Sequence, residues 1–207
     1  MDLTTFIGQR KQTEALMNEL LGDNINPTKY DAKFLASLSK VKKDIQCDLK
    51  FLFDNDPSVT EVGHVGCYTS AFAVASYRVA HIFPDVQVAR QITEYAKSVT
   101  GVDIHPKAKI AVPFAIDHGV GTVIGETAVI GKNSMLYHGV TLGARHLKER
   151  DQVGEDRHPK LGDNVIIYSN TTILGNLCVP DGMIIGANRF IKKQEEIDEL
   201  FARYDKK

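Results

Sequence analysis

Aliphatic residues recur at every sixth position through long stretches of the second half of this chain. One run is Ile104, Ile110, Ile116; a second is Ile124, Ile130, Leu136, Leu142; a third is Leu161, Ile167, Ile173, Val179, Ile185. A period of six fits neither the 3.6-residue turn of an α-helix nor the two-residue alternation of an open strand. It fits a hexapeptide β-helix, in which short strands form the flat walls of a prism and each wall turns one guide side chain inward. Three walls complete a coil, so guide residues three hexads apart stack. Small or β-branched residues four places after a guide fill the rest of the interior: Ala108, Ala128, Ser134, Val140 and Thr171. Gly125, Gly131 and Gly162 each follow a guide residue, where a corner needs an unhindered backbone.

The residues before the beat have helical spacing. Phe6–Leu21, Tyr30–Phe53, Tyr68–Phe83 (closed by Pro84) and Asp85–Val99 are the expected helices, with a turn at Asp54-Asn55-Asp56-Pro57. The beat stops after Ile185, and Phe190–Tyr204 has the spacing of an amphipathic helix that would cover the open end of the stack. The fold class expected is α+β. An N-terminal α-helical domain (1–99) precedes a left-handed parallel β-helix of hexapeptide repeats (100–189), and a C-terminal helical tail (190–207) follows.

Composition narrows the function. The 207 residues hold 25 basic and 26 acidic side chains, so net charge points to neither nucleic acid nor a membrane surface. No apolar run approaches the ~20 residues of a membrane span. The N-terminus lacks a secretory pattern. Cys47, Cys67 and Cys178 are odd in number and lack CxxC spacing, which suggests a reducing cytosol. Cys178 reads as a small apolar filler, and the methionines as core fillers.

The beat breaks twice, and chemistry-bearing residues cluster at both breaks. Ile116 to Ile124 is a step of eight, with Asp117 and His118 at the insertion. Leu142 to Leu161 is a step of nineteen across a charged stretch, GARHLKERDQVGEDRHPK, that ends in Asp156-Arg157-His158-Pro159. Long loops on a rigid repeat scaffold are where function concentrates. Asp103 and His105 flank guide residue Ile104. A single His is most simply structural, and His64, His81, His105, His138 and His146 are read so, although His138 lies within reach of the long loop. His118, His158 and their Asp neighbours form no compact ligand motif, so no metal is expected.

The ordered segments GVDIHPKAKI, IDHGVGTVIGETAVIG, GVTLG and DRHPKLGDNVIIYSNTTILGN resemble the serine O-acetyltransferases, as do DNDPSV and SYRVAHIF of the helical part. The resemblance covers about residues 50–180. It implies acetyl transfer from acetyl-CoA to the L-serine hydroxyl, for cysteine synthesis, with no permanently bound cofactor. By position, His118 matches the general base and Asp103 the carboxylate that orients it. Arg157 and His158 match groups that hold the acceptor's carboxylate and complete the pocket. Asp56 and Asp117 match acidic residues beside its amino group. The resemblance further implies a homotrimer or a dimer of trimers, with a site shared between subunits. Gly143, Ala187 and Asn188 are then candidate donor contacts. The family's isoleucine-ended tail, which docks on cysteine synthase, is not matched by Tyr204-Asp-Lys-Lys207, so that complex is not expected.

These assignments suit the chemistry. Imidazole titrates near neutrality and can take the hydroxyl proton as the oxygen attacks. A carboxylate on its far nitrogen fixes the tautomer and stabilises the imidazolium. Arginine grips a carboxylate as a fork. A backbone N–H is the expected donor to the developing oxyanion. Two other readings remain: a CoA-dependent acyltransferase with another acceptor such as homoserine, and a non-catalytic hexapeptide scaffold.

Overall fold

The computed structural model describes residues 3–22, 26–145 and 156–204. Its helical part comprises α1 (Leu3–Leu21), α2 (Ala32–Asn55), α3 (Val62–Val65), α4 (Thr69–His81) and α5 (Val86–Thr100). Local chemistry sets these limits. Asp31 caps α2 by accepting the Phe34 N–H at 2.7 Å. Asp85 caps α5 by accepting from Gln87 at 2.7 Å and Val88 at 3.2 Å. Gly101, in the left-handed region at φ +72°, ends α5 and swings the chain into the first repeat. α4 is buried along most of its length by Ala71, Ala73, Val74, Ser76 and Val79, small enough to let it lie between α2, α5 and the β-helix. Among the described residues, no helix is long and apolar enough to cross a membrane.

The strands then wind as a left-handed parallel β-helix. They are β1 (Asp103–Ile104), β2 (Lys109–Ile110), β3 (Phe114–Asp117), β4 (Val123–Ile124), β5 (Val129–Ile130), β6 (Ser134–Tyr137), β7 (Thr141–Gly143), β8 (Lys160–Leu161), β9 (Ile166–Ile167), β10 (Thr172–Leu174), β11 (Cys178–Val179), β12 (Ile184–Ile185) and β13 (Phe190–Ile191). Wall A stacks β1-β4-β7-β10-β13, wall B β2-β5-β8-β11 and wall C β3-β6-β9-β12. Each guide residue pairs with the guide of the next coil: Ile104 with Ile124, Ile124 with Leu142, Leu142 with Ile173. The guides are nearly solvent-free, and so are Ala108, Ala128, Ser134, Val140 and Thr171. Each fully buried Ile or Leu contributes about 1.5–3 kcal/mol relative to exposure.

Asparagine makes several corners. Asn133, Asn164, Asn170 and Asn188 all have φ between +56° and +59°, a region that Asn tolerates better than most residues. Gly125, Gly131 and Gly162 serve a different purpose from the conformational one. None has positive φ; each lies beneath atoms of the next coil, closely enough that a Cβ would collide.

The end of the stack differs from expectation. The beat continues to Ile191, whose strand β13 pairs with β10, and Phe190 faces outward. The tail helix α6 therefore begins later, at Gln194, and runs to Tyr204. Its first turn is fixed by Glu196, which accepts the N–H groups of Lys192 and Lys193 at 2.8 and 2.9 Å. The Gln194 side chain bonds both the N–H and the C=O of Cys178, continuing the ladder at the edge of wall B. Ile197 is fully buried in the β-helix core, with Leu200 and Phe201 packed beside it. Cys178 is not a core filler: it precedes guide residue Val179, faces outward and is exposed. Met17, Met135 and Met183 are buried as expected. Most of the charged excursion (146–155), His146 and the last three residues (205–207) lie outside the described residues.

Candidate active site

The sequence-derived candidates gather at two corners flanking wall A. At the first corner, wall C passes into wall A. β3 ends at Asp117 and the inserted residues leave the prism from His118 onward. His118 has φ +59° and a side chain 72% exposed. Its Nδ1 lies 4.0 Å from the Asp117 carboxylate. The His138 ring meets it edge-on, with centroids 5.7 Å apart. Asp56 enters from the end of α2. It accepts the Ser58 hydroxyl at 2.6 Å, the Ser58 N–H at 2.9 Å and the Tyr68 hydroxyl at 3.0 Å. These bonds, the Ser58 hydroxyl foremost, together with the charge on nearby His118 hold the Asp56 carboxyl below its usual range. Asp56, Tyr68, Ser70, Asp117 and His118 line one open cleft of about 560 Å³. Two carboxylates beside an imidazole suit a cationic group that carries a nearby proton to be lost.

At the second corner, wall A passes into wall B. The turn Gly125-Glu126-Thr127 meets the incoming segment Arg157-His158-Pro159, because β5 pairs with β8. Arg157 donates through Nη2 to Glu126 at 2.6 Å, and Lys107 holds the other Glu126 oxygen at 3.0 Å. The Lys107 hydrogen bond, then the charges of His105, Lys107 and Arg157, keep the Glu126 carboxyl low. His158 is 6% exposed. Burial first, and the Arg157 charge second, push its pKa down. Neighbouring His105 is driven to about 4, chiefly by burial and then by the Arg90 charge. His105 accepts the Lys107 N–H at 3.2 Å, the capping role expected of it.

The remaining candidates divide between these corners. Gly143 ends β7 at the second corner, whereas Ala187 and Asn188 lie at the first, several coils away from His118. Asp103 is on the outer face of wall A, where Lys97 holds its carboxylate at 2.5 Å. Among the described residues no hydrogen bond joins Asp103 to His118. The wall between the corners is about four residues across, roughly 10 Å at the rise of a strand. One chain therefore brings Asp56, Asp117 and His118 together, and separately Arg157 and His158. Sequence reasoning passed over Glu126, Thr127, Ser58 and Tyr68. The register that brings Glu126 and Thr127 to Arg157 and His158 spans the charged excursion, which hides it from local spacing.

No protein-family model matches the chain. A serine acetyltransferase of Staphylococcus aureus is 40% identical over 153 residues, covering 72% of this chain and 70% of that protein. The chain belongs to the serine acetyltransferase family. A plasmid serine acetyltransferase of Synechococcus elongatus is 37% identical over 169 residues, covering 77% of this chain and 53% of that protein, so the chain spans about half of that relative. The crystal structure of Neisseria gonorrhoeae serine acetyltransferase in complex with serine matches with a TM-score of 0.70 at 34% identity, covering 78% of this chain and 66% of that one. Serine acetyltransferases are acyltransferases.

Proposed function

We propose that this chain transfers the acetyl group of acetyl-CoA to the hydroxyl of L-serine, with His118 as general base. The observation that carries the reading is the convergence of Asp56, Asp117 and His118 from two distant segments on one open cleft. Asp56 and Asp117 pair with the acceptor's ammonium. His118 removes the hydroxyl proton as the serine oxygen bonds to the thioester carbonyl carbon. The C–S bond then breaks, and the departing CoA thiolate takes the proton from the imidazolium. Asp103, whose carboxylate Lys97 holds, is assigned to steady that imidazolium. General-base assistance of this kind supplies roughly 10²–10⁴-fold.

Arg157 and His158 receive the acceptor carboxylate from a neighbouring copy. Wall A and its first corner expose Val120, Val123 and Phe190. Burying that face around a three-fold axis sets the first corner of one copy against the second corner of the next, and such a head-to-tail contact closes as a ring. The assembly proposed is a homotrimer or a dimer of trimers, with the CoA arm near Gly143, Ala187 and Asn188. A reducing cytosol suits its three exposed free cysteines, Cys47, Cys67 and Cys178.

Thiol release measured with L-serine, with L-homoserine and without acceptor tests the reading. Serine-dependent release that falls at least 10²-fold in His118→Ala is expected. Release with homoserine alone, or none with either acceptor, would overturn it. Sedimentation as a monomer would remove the shared site.

A further inference from the structure

Thr127 stands at a crossing of hydrogen bonds that the reaction as written leaves unused. Its Oγ1 accepts the backbone N–H of Arg157 at 2.9 Å and that of His158 at 3.2 Å. The same oxygen lies 2.9 Å from Nδ1 of His158, and the Thr127 backbone N–H donates to that Nδ1 at 3.1 Å. The proton positions follow from donor and acceptor capacity. A backbone N–H only donates, so Nδ1 is an acceptor and bears no proton. The Thr127 oxygen already accepts twice, so its own hydroxyl proton is directed to Nδ1. The single ring proton of neutral His158 then sits on Nε2. Placing a proton on Nδ1 would set it against two donors. The charged groups facing the ring are Arg157 on its own segment and Glu126 on the turn; Lys107 and His105, from the preceding coil, stand behind Glu126. Gly125 leaves room for the other edge of the ring: a Cβ there would lie 2.1 Å from Nε2.

We propose that Thr127 is a positioning residue that locks His158 as the neutral Nε2–H tautomer, so that the ring meets the acceptor site only as a hydrogen-bond donor to an anionic oxygen. The inference rests on the reading that His158 faces the acceptor. Nitrogen-15 NMR of the histidine-labelled full chain, with the His158 signal assigned through His158→Gln, reads the lock directly. A bare Nδ1 and a protonated Nε2 are expected at about pH 7–8, above the usual histidine range, where a ring whose pKa burial lowers is neutral. Thr127→Val keeps the shape and removes the hydroxyl. In that variant His158 should titrate nearer the usual histidine range. The KM for L-serine should rise about tenfold, the worth of one lost hydrogen bond, with kcat changed less. Thr127→Ser should restore both. A protonated Nδ1 in the parent protein, or a Thr127→Val variant with unchanged His158 titration, would overturn the lock. If the tautomer is as stated while His158→Gln keeps full activity, the acceptor-site role fails and the lock alone stands.

Discussion

Adding one methyl group at Gly125 should disable the second corner while leaving the β-helix folded. A Cβ at this position lies 2.0 Å from Cδ2 and 2.1 Å from Nε2 of His158. Carbon atoms in contact rest about 3.5–4.0 Å apart, so the imidazole must retreat by roughly 1.5 Å. Gly125 is not among the glycines with positive φ, so alanine adds no backbone strain and the steric effect stands alone. Retreat pulls Nδ1 away from the Thr127 N–H and hydroxyl, two hydrogen bonds worth about 1 kcal/mol each. A stability loss of about 2 kcal/mol corresponds to a fall in Tm of about 4–8 °C at this chain length. Activity should suffer more, because misplacing a site group by about 1 Å costs on the order of 10²-fold. The measurements are kcat/KM for L-serine by thiol release and Tm by circular dichroism. Gly63→Ala, where a Cβ meets nothing within 4 Å, is the silent control. Gly125→Ala with parental kcat/KM would refute both the position of His158 and its part in the reaction.

Three further outcomes test the frame around the site. Arg78→Met leaves Asp48 buried without its bidentate partner and should cost about 3–5 kcal/mol in urea unfolding. Burial already pushes the Asp48 carboxyl up, so the neutral acid is the better tolerated form; the variant's deficit should shrink as pH falls through the raised pKa and grow as pH rises. His105, held neutral down to about pH 4 against 6.5 when unfolded, should make the parent lose stability as pH falls across that window, and His105→Asn should flatten the slope. Ile197→Ala should cost about 2–5 kcal/mol by opening a cavity beneath α6, read as a lower Tm and increased binding of a hydrophobic dye.

The β-helix was legible because its period is set by geometry that few side chains satisfy: one inward aliphatic per wall. The same rule locates Ile191, six places after Ile185, but Ile191 also fits the helical spacing of Phe190–Tyr204, and the longer pattern masked it. Asp117 and His118 were legible because an insertion in a rigid repeat has to bulge outward. Glu126 and Thr127 were not, because their significance depends on strand register across an excursion whose length is free to vary. Asp56 was placed by resemblance alone, since nothing in local spacing says that a helix end will reach the corner of a prism.

That reach has a physical origin in the buried pair beneath the cleft. Arg78, on α4, grips Asp48 of α2 and the carbonyls of Ile110 and Ala111, while Asp48 Oδ1 accepts the Phe114 N–H at 2.8 Å. Phe114 opens β3, and Asp117 closes it. Eight residues after Asp48, about 12 Å along the helix, α2 delivers Asp56. Helix and strand are therefore pinned together upstream of the cleft, and their C-terminal ends deliver the two carboxylates to the same cleft as His118. A charge pair this deeply buried is a weak source of net stability, since an apolar replacement often does as well. What it provides is register: sliding α2 along β3 would break the pair and move Asp56 away from Asp117 at the same time. The spacing of the cleft carboxylates is thus set outside the cleft itself, by a buried contact that sliding α2 along β3 would break.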